Sequence, residues 1–481
     1  MSEASVFDAV RAGAGAPDRT AIVGERLWTF RALLTAAERF AGRLAERGAG
    51  GPVAARLKDP VSAAVVTLGC DLARVPVIHQ DPSSPEALPV PLVHDGPRSA
   101  GDREAVALED RTVWVGPTPE TGADAGLAAD LPGNCQIFLT SGSEGAPMGV
   151  VRSAEALLAD ARRVAGFLGY RYDVPLVAAV PLFHVYGFNY ALLAPLLSGT
   201  AVRHCPSRSV PSRLARAVEA HRAGQLIALP VHFGLLAADE AVRPASLASL
   251  AWAVTAGAPL RAGVAAQIGS RFDFTLYNCY GSSEAGAVTL APVRNDQGEG
   301  GAYIGSPLPG VHACLAPVPG TYGTDDAAGE LLLLSGSLAL GRLGPAGLVP
   351  LDRHEGWYRT GDLAARTAPG EAIKLLGRLG SLINVAGEKV NPWDVERVLL
   401  AHPAVREAQV LAAADTVRGQ VPFARVVLTH TEGTASAADL AAWCRSRLAP
   451  HQMPRRVEVV ASLPRSSTGK VVQGPAPEVH S

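Results

Sequence analysis

Lysine is scarce in this chain. Lys58, Lys374, Lys389 and Lys470 are the only lysines among 43 basic residues, so a lysine inside a motif carries more information than usual. An excess of one charge sign is also lacking. The 43 basic residues face 45 acidic ones, a formal net charge of −2, which excludes a general attraction to nucleic acid or to an anionic membrane surface. No uninterrupted run of about 18 apolar residues occurs, so no segment reads as a membrane-spanning helix. The opening Met1-Ser2-Glu3-Ala4-Ser5 lacks the basic and then apolar pattern of a secretory signal, and a cytoplasmic protein is expected. Cys70, Cys135, Cys205, Cys279, Cys314 and Cys444 show no C-x-x-C spacing, which argues against structural zinc and a disulfide framework and predicts buried free thiols. A Walker A loop, G-x-x-x-x-G-K-[ST], is missing as well.

What is present is globular. With 481 residues, 48% of them hydrophobic, and a mean hydropathy of +0.16, the chain is long enough for two or three packed domains. Leu33, Leu34, Ala37, Phe40 and Leu44 recur at helical spacing and predict a helix from Phe30 to about Glu46. Further helices are expected over Val61 to Cys70, near Ala154 to Leu168 and near Phe188 to Leu197. Between them fall apolar strand candidates around Val77, Ile137, Leu176 to Val180, Gln225 to Ala228, Trp252 to Thr255 and Thr275 to Asn278. Such alternation favours a layered, partly parallel α/β architecture. Residues 83–130, rich in Pro, Gly and charge, read as decoration. The fold expected is α/β: a large N-terminal domain over 1–377 with a β-rich part at about 301–376, and a smaller α+β domain over 378–481.

Five segments carry chemistry. Thr140-Ser141-Gly142-Ser143-Glu144-Gly145-Ala146-Pro147-Met148-Gly149 follows a strand, and its glycines and hydroxyls suit a turn whose N–H groups surround a polyphosphate. The others are Thr255-Ala256-Gly257-Ala258-Pro259-Leu260, Asn278-Cys279-Tyr280-Gly281-Ser282-Ser283-Glu284, Gly356-Trp357-Tyr358-Arg359-Thr360-Gly361-Asp362 with Arg378 beyond it, and Pro464-Arg465-Ser466-Ser467-Thr468-Gly469-Lys470. Read singly, each is an ordinary surface turn or solvated charge. Read together and in this order, they resemble the adenylate-forming superfamily that includes acyl-CoA synthetases, aryl-CoA ligases, luciferases and the adenylation domains of peptide synthetases. The resemblance covers nearly the whole chain.

That resemblance implies an enzyme using ATP and Mg²⁺ to turn a small carboxylic acid into an acyl-adenylate. Thr140, Ser141, Gly142, Ser143 and Gly145 would hold phosphates; Asn278, Tyr280, Gly281 and Ser283 would hold the nucleotide, with Tyr280 against adenine. Glu284 would be the metal ligand, and Asp362 and Arg378 would meet the ribose and phosphate. Lys470 would stabilise the charge that develops at the α-phosphate, Gly380 would be the hinge of a mobile C-terminal domain, and the Gly387 loop would meet the acceptor. Two positions depart from the pattern: Met148 stands where the superfamily usually has lysine, and Glu144 adds a negative charge. Arg152 is the nearby cation that could compensate.

Pro181-Leu182-Phe183-His184-Val185-Tyr186-Gly187-Phe188-Asn189-Tyr190 resembles the P-L-F-H segment of acyl- and aryl-acid ligases. His184 would stand at the carboxylate, and Tyr186, Tyr190, Ala256, Gly257 and Cys279 would line the acid pocket. No aspartate lies between His184 and Tyr190 to pair with an α-ammonium, so an amino-acid substrate is disfavoured. An aryl or a short to medium acyl acid fits these side chains. The expected acceptor is coenzyme A or a carrier protein bearing phosphopantetheine. An amine acceptor and a non-catalytic ATP-binding scaffold are the alternatives. No nucleic-acid or membrane partner is expected, and the assembly is a monomer or homodimer.

Overall fold

The computed structural model describes residues 4–47, 51–84, 88, 90–97, 104–108, 111–116, 131–140, 148–258, 260, 263–293, 302–318, 328–344, 347–367, 372–429, 435–465 and 471. Packing divides the chain into two compact units. The first comprises Met1–Asn295, Pro307–His312 and Leu334–Tyr358; the second comprises Asp296–Ser306, Ala313–Leu333 and Arg359–Ser481. Much of the β-rich segment expected to belong with the large domain therefore groups with the C-terminal residues. The strand pairing of Trp357–Arg366 with Ile373–Arg378 is one reason.

Two sheets build the first unit. In spatial order, the eight-stranded sheet runs Gly286–Pro292, Thr275–Ser282, Trp252–Ala256, Gln225–Ala228, Leu176–Ala179, Val202–His204, Thr20–Val23 and Leu27–Thr29. Its inner pairs are parallel, and its edge strands join antiparallel. Leu176–Ala179 and Gln225–Ala228 are buried at every position, as strands covered on both faces must be. The nine-stranded sheet runs Gly347–Pro350, Gly341–Gly344, Met148–Arg152, Gln136–Thr140, Val77–His79, Val53–Arg56, Leu92–His94, Arg111–Val115 and Glu104–Leu108. Residues 83–130 thus contribute edge strands to this sheet as well as decoration.

The helices follow their caps and apolar faces. Thr29 caps Phe30–Glu46 by accepting from the Ala32 N–H, and the helix buries Leu33, Ala37, Phe40 and Leu44. Ser153 caps Ala154–Leu168, which Gly169 ends in a left-handed conformation. The single helix expected near Phe188 to Leu197 is instead three pieces: Val185–Phe188, a π-helical turn Asn189–Leu193, and Ala194–Ser198. Two features account for the widening. Pro195 cannot share a regular turn with the carbonyl four residues earlier, and Tyr170 donates its hydroxyl to the Tyr190 carbonyl at 2.8 Å.

The second unit contains a five-stranded sheet. Glu388–Val390, Ile383–Val385, Gly419–Leu428 and Val405–Asp415 lie side by side, and Arg456–Val459 joins Gly419–Leu428. The helices Pro392–Leu400 and Ala437–Arg445 supply Val395, Leu399, Leu440 and Cys444 to its core, beside Ile383, Val390 and Val426. This is the α+β domain read from the sequence. Every cysteine is free, five of them buried and Cys314 partly exposed.

Candidate active site

In the first unit, Thr140 ends one strand and is opposed by Met148 at the start of the next. Ser141, Gly142, Ser143, Glu144 and Gly145, expected to bind phosphate between them, lie outside the described residues. The signature segment Asn278 to Glu284 runs along the strand Thr275–Ser282 into a tight hairpin, with Ser282 opposite Gly286 and Gly281 opposite Ala287. Tyr280 is half-buried on this strand, and Ser283 and Glu284 form the turn. Gly286 adopts φ +72°, and a Cβ there would stand 2.2 Å from the Asp160 carboxylate. Only glycine fits.

Asp160 anchors this turn from below. Its Oδ1 accepts from the Ala287 N–H at 3.0 Å, and its Oδ2 lies 3.4 Å from the guanidinium of Arg152. Arg152 is fully buried, and it also donates to the carbonyls of Ser337 at 2.7 Å and Ser283 at 3.4 Å. Burial opposes the charge on both groups, and their attraction offsets that cost. Arg163 completes the network through Ser335, Ser337 and the Pro309 carbonyl. Arg152, considered as a compensating cation for phosphate, is therefore committed to holding the turn together. Its guanidinium has no solvent-facing surface to offer.

Glu284 is held by a residue the motifs did not reveal. Arg342, on the strand Gly341–Gly344, places Nε at 2.9 Å and a terminal guanidinium nitrogen at 2.8 Å from Oε1 of Glu284. Burial works against the Arg342 charge, but Glu284 and a hydrogen bond with Tyr358 outweigh it, so its pKa lies above the ordinary arginine value. The signal in the sequence was a lone arginine inside the apolar run Leu338-Ala339-Leu340-Gly341-Arg342-Leu343. Among the described residues no group of three or more His, Cys, Asp or Glu could cage a metal. One carboxylate on a turn suits Mg²⁺, which keeps waters and takes its remaining oxygens from phosphate. Both arginine contacts fall on Oε1, so Oε2 stands outside the pair.

The residues expected at the acid pocket come together on neighbouring elements. The hydroxyl of Tyr190 lies 3.0 Å from Cys279 Sγ, and the rings of Tyr186 and Tyr190 are 5.0 Å apart between centroids. Tyr186 donates to the Val254 carbonyl at 2.8 Å and reaches the Ala228 carbonyl at 3.3 Å. Burial pushes both phenols well above their usual range and the Cys279 thiol up to about 12, so all three are neutral near pH 7. Ala256 is buried at the end of its strand, and Gly257 follows it, exposed. His184 caps the short helix Val185–Phe188; its Nε2 is buried without a hydrogen-bond partner. Burial, against a pull from Asp81, holds its pKa down to about 4, so the imidazole is neutral.

In the second unit, Asp362 and Arg378 are cross-strand partners, and Arg378 Nε donates to Asp362 Oδ1 at 2.8 Å. Gly380 sits in the short turn Leu379–Ser381, with nothing within 4 Å of a Cβ placed there. Gly387 and Ala386 are the two central residues of a hairpin between Ile383–Val385 and Glu388–Val390, at φ +98° and +49°. Two left-handed residues in succession match the twist of the strands they join. Lys470 lies outside the described residues, although Arg465 and Val471 on either side of it form a β-bridge.

Comparison with known proteins gives the same family from several directions. Residues 10–341 match the AMP-binding enzyme family, and residues 394–470 match the AMP-binding enzyme C-terminal domain. A 2-succinylbenzoate–CoA ligase from Geobacillus kaustophilus is 30% identical over 481 aligned residues, covering 95% of this chain and 94% of that protein. A 4-hydroxybenzoate–CoA/benzoate–CoA ligase from Rhodopseudomonas palustris is 29% identical over 377 residues, 78% of this chain and 69% of that protein. Among solved structures, ATP-bound MatB from Rhodopseudomonas palustris shares the fold with a TM-score of 0.80 at 22% identity, covering 98% of this chain and 97% of that one. The amide bond synthetase McbA from Marinactinospora thermotolerans does so with a TM-score of 0.76 at 23% identity, covering 97% and 98%. With a family match over residues 10–341 and a relative aligned over 95% of its length, the chain belongs to the adenylate-forming superfamily of AMP-binding enzymes and resembles its acyl- and aryl-CoA ligases.

Proposed function

We propose that this enzyme adenylates a small carboxylic acid, aryl or short to medium acyl, at the expense of ATP, and then transfers the acyl group to the thiol of coenzyme A or of a phosphopantetheinyl carrier protein. The observation that carries the acid reading is the buried, unpartnered Nε2 of the neutral His184. A buried polar atom without a partner is costly, and a substrate carboxylate would supply one. Beside it in the chain, Tyr186 and Tyr190 have their hydroxyls committed to Val254, Ala228 and Cys279. What they offer a substrate is ring surface, which suits an aromatic or apolar acid rather than a polar tail. The similar proteins include ligases named for benzoate, ferulate and sulfoacetate, a range that spans aryl and short acids.

A carboxylate is a poor acyl donor because its oxygen leaves badly, and linkage to AMP remedies this. Mg²⁺ bound at Glu284 would neutralise charge on the polyphosphate. Asp362 and Arg378 would position the ribose and α-phosphate. Lys470, by resemblance, would stabilise the pentavalent phosphorus and so act in the first half-reaction. The Gly387 hairpin would serve the second, after a rearrangement about Gly380.

A panel of carboxylic acids with ATP and Mg²⁺, assayed separately for AMP, ADP and acyl-adenylate, tests the first half-reaction. AMP and pyrophosphate are expected from at least one aryl or short acid. ADP without AMP rejects the mechanism, and nucleotide binding without turnover across the panel favours a scaffold. Repeating a productive reaction with coenzyme A, carrier protein and amines fixes the acceptor. Lys470→Ala should impair adenylation far more than transfer from supplied acyl-adenylate.

A further inference from the structure

We propose that Arg342 is a polyphosphate-binding cation of this enzyme, reaching the outer phosphates of ATP from the strand that flanks the exit of the Gly/Ser turn. The inference rests on the nucleotide reading above and adds a residue to it.

Strand register sets the placement. In the antiparallel pairing of Gly341–Gly344 with Met148–Arg152, Arg342 opposes Val150 and Leu343 opposes Gly149. Alternation along a strand puts positions 148 and 150 on the same sheet face, so position 342 is the diagonal neighbour of position 148, where the turn rejoins the sheet. Diagonal neighbours are about 7–8 Å apart, a gap an arginine side chain can span. Position 148 itself carries methionine, which brings no charge to the turn.

The contacts of Arg342 are of a kind that can be exchanged. Its side chain is 39% exposed, whereas Glu284 is 14% exposed, so the guanidinium forms the solvent-facing half of the pair. A nucleotide carrying Mg²⁺ presents anionic oxygens to the guanidinium fork and a divalent cation to the carboxylate. Binding would replace one ion pair by two charge-matched contacts and leave no charge uncompensated. The other two arginines of this region are not so placed. Arg152 is fully buried against Asp160, and Arg163 is held by Ser335, Ser337 and the Pro309 carbonyl.

Calorimetric binding of ATP, pyrophosphate and AMP, each with Mg²⁺, to the wild type and to the Arg342→Gln, Arg342→Met, Arg342→Lys and Met148→Lys/Arg342→Met variants tests the assignment. Without a charge-assisted hydrogen bond to the outer phosphates, Arg342→Gln and Arg342→Met should bind ATP and pyrophosphate about tenfold or more weakly. AMP, which lacks those phosphates, should stay within about twofold, Arg342→Lys should fall between, and the added lysine should recover most of the loss. Equal losses for AMP and ATP would mean that Arg342 acts only by shaping the Glu284 turn, and unchanged ATP binding would remove it from the site; either result overturns the proposal. If Arg342→Met does not fold, the Arg342→Gln result decides alone. A wild type that binds no ATP would end the nucleotide reading itself, whereas a wild type and Arg342→Gln that bind ATP equally would end only the role given to Arg342.

Discussion

Asp362 and Arg378 face each other across two antiparallel strands, and their 2.8 Å hydrogen bond fixes which way the carboxylate points. Asp362 is the sheltered partner, at 15% side-chain exposure, with Arg378 at 62%. If the carboxylate receives the ribose hydroxyls, Asp362→Asn should weaken ATP and AMP alike, by about tenfold, because a charged acceptor is lost to both. It should also erase any preference for ATP over its 2′-deoxy analogue. Competition binding with the two nucleotides measures this, and an undiminished preference would place the ribose elsewhere.

Asp160 touches no expected substrate, yet it holds the turn that carries Glu284. Asp160→Ala leaves the buried Arg152 guanidinium uncompensated, a change that costs about 3–5 kcal/mol. Pairing it with Arg152→Met should return most of that stability, since removing both charges avoids the unpaired one. Chemical denaturation of the three variants gives the comparison. A double variant no more stable than Asp160→Ala would mean that the pair is not coupled as its geometry requires.

Two sets of buried groups pull the pH dependence of stability in opposite directions. His79, His184, His204 and His232 are each held down to about 4 by burial. Unfolded histidine titrates near 6.5, so between about 4 and 6.5 the unfolded chain takes up protons that the folded chain refuses. Their contribution is complete above that window and is lost as the pH falls through it. Glu396 does the reverse: burial lifts it to about 7, despite a hydrogen bond from the Val410 N–H. Its contribution is complete below an unfolded value of about 4.3 and fades as the pH rises through 7. Glu396→Gln should therefore gain stability relative to the wild type between about pH 5 and 8, read as a widening difference in melting temperature. A pH-independent difference would show that Glu396 is charged throughout.

Periodic elements were legible in the sequence because their physics is local. Phe30–Glu46 and Ala154–Leu168 carry their caps and apolar stripes within their own residues, and both were placed to the residue. The order of the motifs gave the family, and with it the shared role of Asp362 and Arg378, although sixteen positions separate them. Arg342 and Asp160 were not legible. Each acts by meeting a residue more than fifty positions away, Glu284 for the one and Ala287 for the other, and such meetings depend on sheet order rather than on neighbours in the chain. The π-helical turn escaped for a related reason: Leu, Ala and Tyr in Asn189–Leu193 suit an ordinary helix, and the hydroxyl that draws away the Tyr190 carbonyl comes from Tyr170.

That turn bears on how the acid pocket could diversify. A π-helical bulge behaves as a single-residue insertion within an α-helix, so deleting one position from Asn189–Leu193 would restore the regular winding. Everything beyond the deletion would then swing by about 100° around the axis relative to His184 and Tyr186. A change in length of one codon could thus exchange the whole set of side chains presented to a substrate, where a point replacement exchanges only one.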